Sequence, residues 1–226
     1  MVPVTEWRAP VDFLAFLSAD GREDILTGAR PVPLRAGDVA DFPRDRSDAD
    51  LVASGVVRAY QVAEDGREAT IGYLYGGEWL GALPVLGTAP VVHLQAVVDS
   101  VILRLDPARF RTRNEGDIAV SHALAVHTAT ILARVVRVVT VRTLGSVLDR
   151  VAFDLLERAS VDQLRSGELV FKVTHEELAS SVGSVREVVT RALRELREAG
   201  IVSTSHGRVR VDDPARLTRV VNGLVV

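Results

Sequence analysis

The chain has 226 residues, 47% hydrophobic and 25% charged, with a formal net charge of −3. That balance belongs to a globular protein large enough to bury a core unaided, and the acidic total excludes a general nucleic-acid coat. The absence of cysteine excludes disulfides, thiolate metal sites and cysteine-held iron–sulfur clusters in this chain. Met1 to Pro10 shows no signal-peptide pattern, and no apolar segment reaches the roughly 20 residues that span a bilayer. A cytoplasmic chain with no membrane contact is therefore expected.

In chain order, Val11 to Leu26 reads as a short helical segment with Phe13, Leu14, Phe16, Leu17 and Ile25 among charges. From Pro31 to Leu105 short β-rich runs alternate with turns. The clearest runs are Val56–Val62, Ala69–Leu74, Leu94–Val98 and Val101–Leu105, with Asp65-Gly66 as a hairpin turn. Many short strands with glycine turns predict an antiparallel sandwich or barrel. Residues 114–144 then predict a long helix with two apolar stripes: Leu124, Ile131, Val135 and Val138, and Ala125, Leu132, Val136 and Val139. A helix apolar on two sides needs two partners, its own domain and a second chain. Leu124, Ile131, Val135 and Val138 are taken as the dimer stripe. Val147–Ala159 predicts another helix, with Val151, Leu155 and Leu156 inward, and Leu169–Val173 a short strand.

The informative segment is Val173–Val211. Residues 150–226 carry 12 basic and 11 acidic residues against 15 and 19 in residues 1–149, so the C-terminal part is the less acidic. Thr174 with Glu177 has the form of a capping box, and Gly183 suits the left-handed turn between two helices. Ser184 with Glu187 suggests a second box. On a wheel, Val185, Val189, Ala192, Leu193 and Leu196 gather on one side, and Arg186, Glu187, Thr190, Arg191, Arg194 and Arg197 on the other. Apolar residues would hold this helix to its scaffold while arginine and glutamate face base edges. Thr174 and His175 at the start of the preceding helix would lie near phosphates. Ile201–Thr204 and Val209–Val211 around His206-Gly207 make a β wing, and Asp213-Pro214 starts a last helix.

These residues resemble the CRP/FNR superfamily, the cyclic-AMP receptor protein and its relatives, over nearly the whole length. The resemblance rests on Leu34–Asp38, Ser54–Arg58, Asp65–Glu68 and Gly77–Gly81, and on Val173–Ala179, Val182–Arg191, Leu196 and Gly200–Val202. It implies an α+β architecture: an N-terminal antiparallel β jelly roll over residues 1–113, a dimerisation helix over 114–144, and a C-terminal winged helix-turn-helix over 145–226. It implies a transcription regulator, not an enzyme, that pairs with itself, binds double-stranded DNA and meets RNA polymerase. By resemblance Arg186, Glu187 and Arg191 read a TGTGA-like half-site, supported by Thr174, His175, Ser184 and Thr190.

The departures bear on the effector. Relatives follow the Gly-Glu turn with an Arg-Ser/Thr-Ala stretch, whereas this chain has no arginine between Gly81 and Arg104. Gly77, Glu78, Gly81, Val135 and Val136 form the effector pocket of this reading. In relatives Glu78's counterpart binds a sugar hydroxyl; Val135 and Val136 offer a base no hydrogen bond. Burying a cyclic phosphate there without a cation is costly, so cyclic AMP is not expected to be the effector. The strand region holds one histidine, His93, too few for a metal-dependent enzyme of the jelly-roll type. No metal or cofactor is expected. The alternative is a regulator of the same architecture that senses haem, through His93 or His127, or another small ligand.

Overall fold

The computed structural model describes residues 12–40, 49–80, 92–159 and 168–222. Their contacts form two compact units, one within residues 10–59 and 73–134, the other within 60–72 and 135–226.

In the N-terminal part a single 3-10 turn, Phe13–Phe16, precedes helix α1, Ala19–Leu26. Among the described residues eight strands follow: β1 Arg30–Leu34, β2 Val39–Ala40, β3 Ala49–Ser54, β4 Val56–Val62, β5 Glu68–Tyr75, β6 Trp79–Leu80, β7 His93–Ala96 and β8 Ser100–Leu105. They build two four-stranded sheets, ordered β1-β8-β3-β6 and β2-β7-β4-β5. The β1–β8, β3–β8, β3–β6 and β2–β7 pairings are all antiparallel, the double-sheet arrangement of a jelly roll. Alternating burial along β7 gives it an inward and an outward face. One core holds Phe13, Leu17, Ile25, Leu51, Trp79, Phe110 and Leu124; another lies between the sheets at Val52, Val57, Leu94 and Ile102.

The expected helix over 114–144 is divided. Asp106 caps helix α2, Pro107–Gly116, and α3 runs from Ile118 to Leu144, 27 residues. Asp117 interrupts them, leaving the helical region and accepting from the Ala119 N–H at 2.9 Å. The β-branched run Val135–Val141 lies inside α3 and is helical. By length and composition α3 would also suit a bilayer; Arg134, Arg137 and Arg142 interrupt it, so no unbroken apolar run shows in the sequence.

The two stripes of α3 differ in exposure. Leu124 is buried in the N-terminal core and Val138 in the C-terminal one, while Ile131 and Val135 are half-buried. Leu132, Val136 and Val139 stand 62%, 57% and 56% exposed. Assigning Leu124 and Val138 to a partner chain is therefore corrected: their surface is already buried in their own chain.

The C-terminal part begins with α4, Val147–Arg158, capped by a Ser146–Asp149 box, with Val151, Leu155 and Leu156 fully inward. Strand β9, Leu169–Lys172, leads to α5, His175–Val182, and α6, Arg186–Glu198. Strands β10, Val202–Ser205, and β11, Arg208–Val211, pair antiparallel, and β11 also pairs β9, giving the order β10-β11-β9. Helix α7, Pro214–Asn222, follows, with Asp213 accepting from the Arg216 N–H at 2.9 Å.

Candidate nucleic-acid interface and effector pocket

The helix pair α5–α6 starts from the expected cap. The Thr174 side chain accepts from the Glu177 N–H at 3.1 Å, and the Glu177 carboxylate accepts from the Thr174 N–H at 2.6 Å. At Gly183 the backbone is left-handed, φ 64° and ψ 51°, which glycine adopts without a Cβ clash. The Ser184 N–H then closes on the Ala179 carbonyl at 2.9 Å. Leu178, Ala179, Val182, Val189, Ala192, Leu193 and Leu196 join one core, so both helices are fixed by their apolar faces.

The second expected box does not form. The N-cap of α6 is Val185, with no side-chain cap bond, and Val185 is 58% exposed. Ser184 therefore lies one residue before the cap. Val185, expected on the buried side, precedes the first helical residue, where the wheel's rotation no longer holds.

The outer face of α6 carries Arg186, Glu187, Thr190, Arg191 and Arg194, all exposed. Arg194 is tied to Glu198 at 2.7 Å. Among the described residues, Arg186 and Arg191 make no ion pair, so their guanidinium groups are available to an outside acceptor. No local pattern in the sequence announces the group that holds α5. Its C-terminal carbonyls receive Arg142 Nη2 at Ser181 (2.9 Å) and Arg150 Nη1 at Val182 (3.3 Å). Arg158, paired with Asp154 at 2.6 Å, also reaches Ser181 Oγ at 3.2 Å. Three arginines thus answer the negative end of α5. Each lies 23 to 39 residues from its partner, beyond any local pattern.

In the N-terminal unit the Gly77-Glu78 turn has a positive φ of 91° at Gly77, and a Cβ there would stand 3.0 Å from the Asp12 Cα. Only glycine fits without displacement. The Glu78 carboxylate turns inward, its residue 1% exposed. Arg134 from α3 grips it with both nitrogens, Nη2 to Oε1 and Nη1 to Oε2 at 2.7 Å each. The Tyr75 N–H adds a contact to Oε2 at 3.3 Å, and the guanidinium carbon lies 5.5 Å from the Tyr75 ring centre. A cation absent from the local sequence is therefore supplied by the helix. Val136, placed in the pocket from the sequence, is instead on the exposed face of α3, and Val135 is half-buried. Gly81 lies outside the described residues.

His127, one of the two histidines weighed for haem, is enclosed. Its Nε2 lies 3.0 Å from the Trp79 carbonyl, and Phe13 meets it edge-on. Trp79 in turn stacks on Phe110 with centroids 4.1 Å apart. Burial pushes the His127 pKa down, against a smaller opposing pull from the Trp79 carbonyl. His93 lies half-buried on β7. Among the described residues no cluster of three or more histidines and carboxylates could hold a metal.

Comparison with known proteins agrees with both halves. The cyclic nucleotide-binding domain profile matches residues 32–113, and the Crp-like helix-turn-helix profile matches residues 149–220. Transcriptional regulator SdrP of Thermus thermophilus is 31% identical over 189 residues, 80% of this chain and 89% of its own. The Cyclic AMP receptor protein of that species is 32% identical over 176 residues, 77% of this chain and 79% of its own. The crystal structure of a CRP/FNR-family transcriptional regulator, also from Thermus thermophilus, matches with TM-score 0.70 at 28% identity, over 86% of this chain and 100% of that one. With a nucleotide-binding-type jelly roll, a long helix and a helix-turn-helix in the order its relatives share, the chain belongs to the CRP/FNR family of DNA-binding transcription regulators.

Proposed function

We propose that the chain acts as a homodimer on an inverted repeat of TGTGA-like half-sites about one helical turn apart, and that it does so without cyclic AMP. The observation that carries this is the pair Arg186 and Arg191, exposed on α6 while its other face is buried. Each can donate two bonds to a guanine, and Glu187 between them can accept from cytosine N4. Thr174, His175, Ser184 and Thr190 flank them and meet the sugar–phosphate backbone.

The dimer seam in this proposal is the exposed stripe Leu132, Val136 and Val139. Its four- and three-residue steps are those of a coiled-coil seam. Residues 1–113 then sense, 114–144 pair and 145–226 bind DNA. RNA polymerase is the further partner, and the cytoplasm the compartment. Independence from cyclic AMP is supported by Glu78. The carboxylate that the family resemblance gives to a sugar hydroxyl already has both oxygens engaged, by Arg134 and the Tyr75 N–H.

Fluorescence anisotropy with a labelled inverted repeat tests this. The protein should bind it roughly a thousandfold more tightly than a scrambled duplex. Arg191→Ala should lose about 1–3 kcal/mol on the repeat and little on the scrambled sequence. Saturating cyclic AMP should leave the curves unchanged. Equal affinity for both duplexes would remove the reading face; a tenfold gain with cyclic AMP would return nucleotide control to this chain.

A further inference from the structure

His175, the first residue of α5, reaches across to the recognition helix. Its Nδ1 lies 2.9 Å from Thr190 Oγ1, and that hydroxyl lies 2.8 Å from the Arg186 carbonyl. A hydroxyl has one proton to donate and a carbonyl can only accept. Thr190 therefore donates to Arg186, and the His175–Thr190 contact requires Nδ1 to be the donor. The neutral imidazole is held in its Nδ1–H form, with the lone pair on Nε2. Among the described residues nothing bonds to Nε2, and the ring is only half-buried.

We infer that His175 is a phosphate clamp that closes only when protonated, so that each half-site takes up a proton as DNA binds. The inference rests on the reading of α5–α6 as the DNA interface. An Nε2 lone pair facing a phosphate oxygen sets acceptor against acceptor. One proton from solvent turns the same atom into a charged donor, and the only bond formed is that N–H. Glu176 and Glu177 share the helix, Glu177 closing the cap on Thr174. Arg186, Glu187 and Arg194 lie one turn from Thr190 on α6, Arg194 paired with Glu198. Arg142, Arg150 and Arg158 are directed to the opposite end of α5. The Thr190 bridge also ties the clamp to the backbone of Arg186.

A phosphate partner raises the proton affinity of the ring in the complex above that in free protein. The phosphate contact needs the ring's added proton, so binding strengthens as pH falls and weakens as pH rises. Anisotropy on the inverted repeat at constant ionic strength should therefore show affinity rising about tenfold from pH 8 to pH 6, the window in which histidine changes charge. His175→Arg should bind tightly with no pH slope. His175→Gln should bind weakly with no slope. His206→Gln, in the wing, should keep the wild-type slope. Thr190→Val frees the ring to present a neutral Nε2–H and should shrink the slope, which a merely structural role would leave in place. A flat wild-type profile, or a slope that survives His175→Gln, would overturn the clamp. Sequence-independent binding by wild type at every pH would instead overturn the DNA reading, and the clamp with it.

Discussion

Arg134 and Arg191 carry the same guanidinium, and the two units use it in opposite ways. In the N-terminal unit Arg134 has its acceptors inside the chain: a buried carboxylate gripped by two nitrogens. In the C-terminal unit Arg191 stands exposed with no ion pair among the described residues, on a helix anchored by its other face. An arginine whose bonds are made internally fixes geometry. One whose bonds are left unmade keeps its directional donors for an outside acceptor. The jelly roll has thus filled its charged site from within, while the helix-turn-helix leaves its charged face open.

The most forceful way to break this contrast is to empty the inner site. Arg134→Met leaves Glu78 buried without its cation, and removing one partner of a buried pair costs about 3–5 kcal/mol. Thermal unfolding should show a large drop in the midpoint. Pairing that change with Glu78→Gln should recover much of the loss, since no charge is then stranded. Arg191→Ala should leave the midpoint within about 0.5 kcal/mol of wild type. If both single variants unfolded alike, the distinction between inward and outward arginines would be lost.

The same contrast runs along α3. Leu124 and Val138 are sealed in their own chain, while Leu132 and Val136 are exposed. Leu132→Glu with Val136→Glu puts two charges on the proposed seam. Light scattering should report monomers, with affinity for the inverted repeat down about a hundredfold as two-point attachment is lost. Circular dichroism should stay unchanged. Charges at Leu124 or Val138 should instead unfold the chain. A dimer of unchanged mass after the Leu132 and Val136 changes would refute the seam.

What was legible in the sequence follows from the range of the forces involved. Helices α4 and α5, the Gly183 turn and the Thr174 cap depend on neighbours a few residues away and appear where the sequence puts them, while α6 is capped one residue later than Ser184. Strand β1 carries Pro31 and Pro33, which cannot donate to a ladder and so mask it as a strand in the sequence; it lies at the edge of its sheet, where proline is tolerated. The two stripes of α3 are equally apolar, and only the positions of both cores decide which is exposed. The Glu78–Arg134 pair spans 56 residues and no local pattern announces it. The exposed arginine face of α6 was visible as a face because one helix carries all of it.

The smallest expected effect sharpens the view of the N-terminal unit as one that keeps its polar groups inside. His127 Nε2 faces the Trp79 carbonyl, and a carbonyl can only accept, so Nε2 carries the proton and donates it. Its Nδ1 is then a buried acceptor with no hydrogen-bond partner in the aromatic cluster. Charging this ring would bring a second N–H into apolar surroundings, which is why its pKa lies below the ordinary histidine value. In the unfolded chain the ring titrates near 6.5, as a histidine in water does. Above that pH neither state binds the proton and stability is indifferent to it. As pH falls below about 6.5, the unfolded chain takes up a proton that the native ring refuses, and stability declines by at most about 1.4 kcal/mol per pH unit. The decline stops once pH passes below the native value. Urea unfolding across this range should show the decline in wild type. His127→Gln keeps an N–H for Trp79 but does not titrate, and it should remove that part of the slope. An identical pH dependence in both proteins would mean that the ring is protonated in the native core as readily as in water.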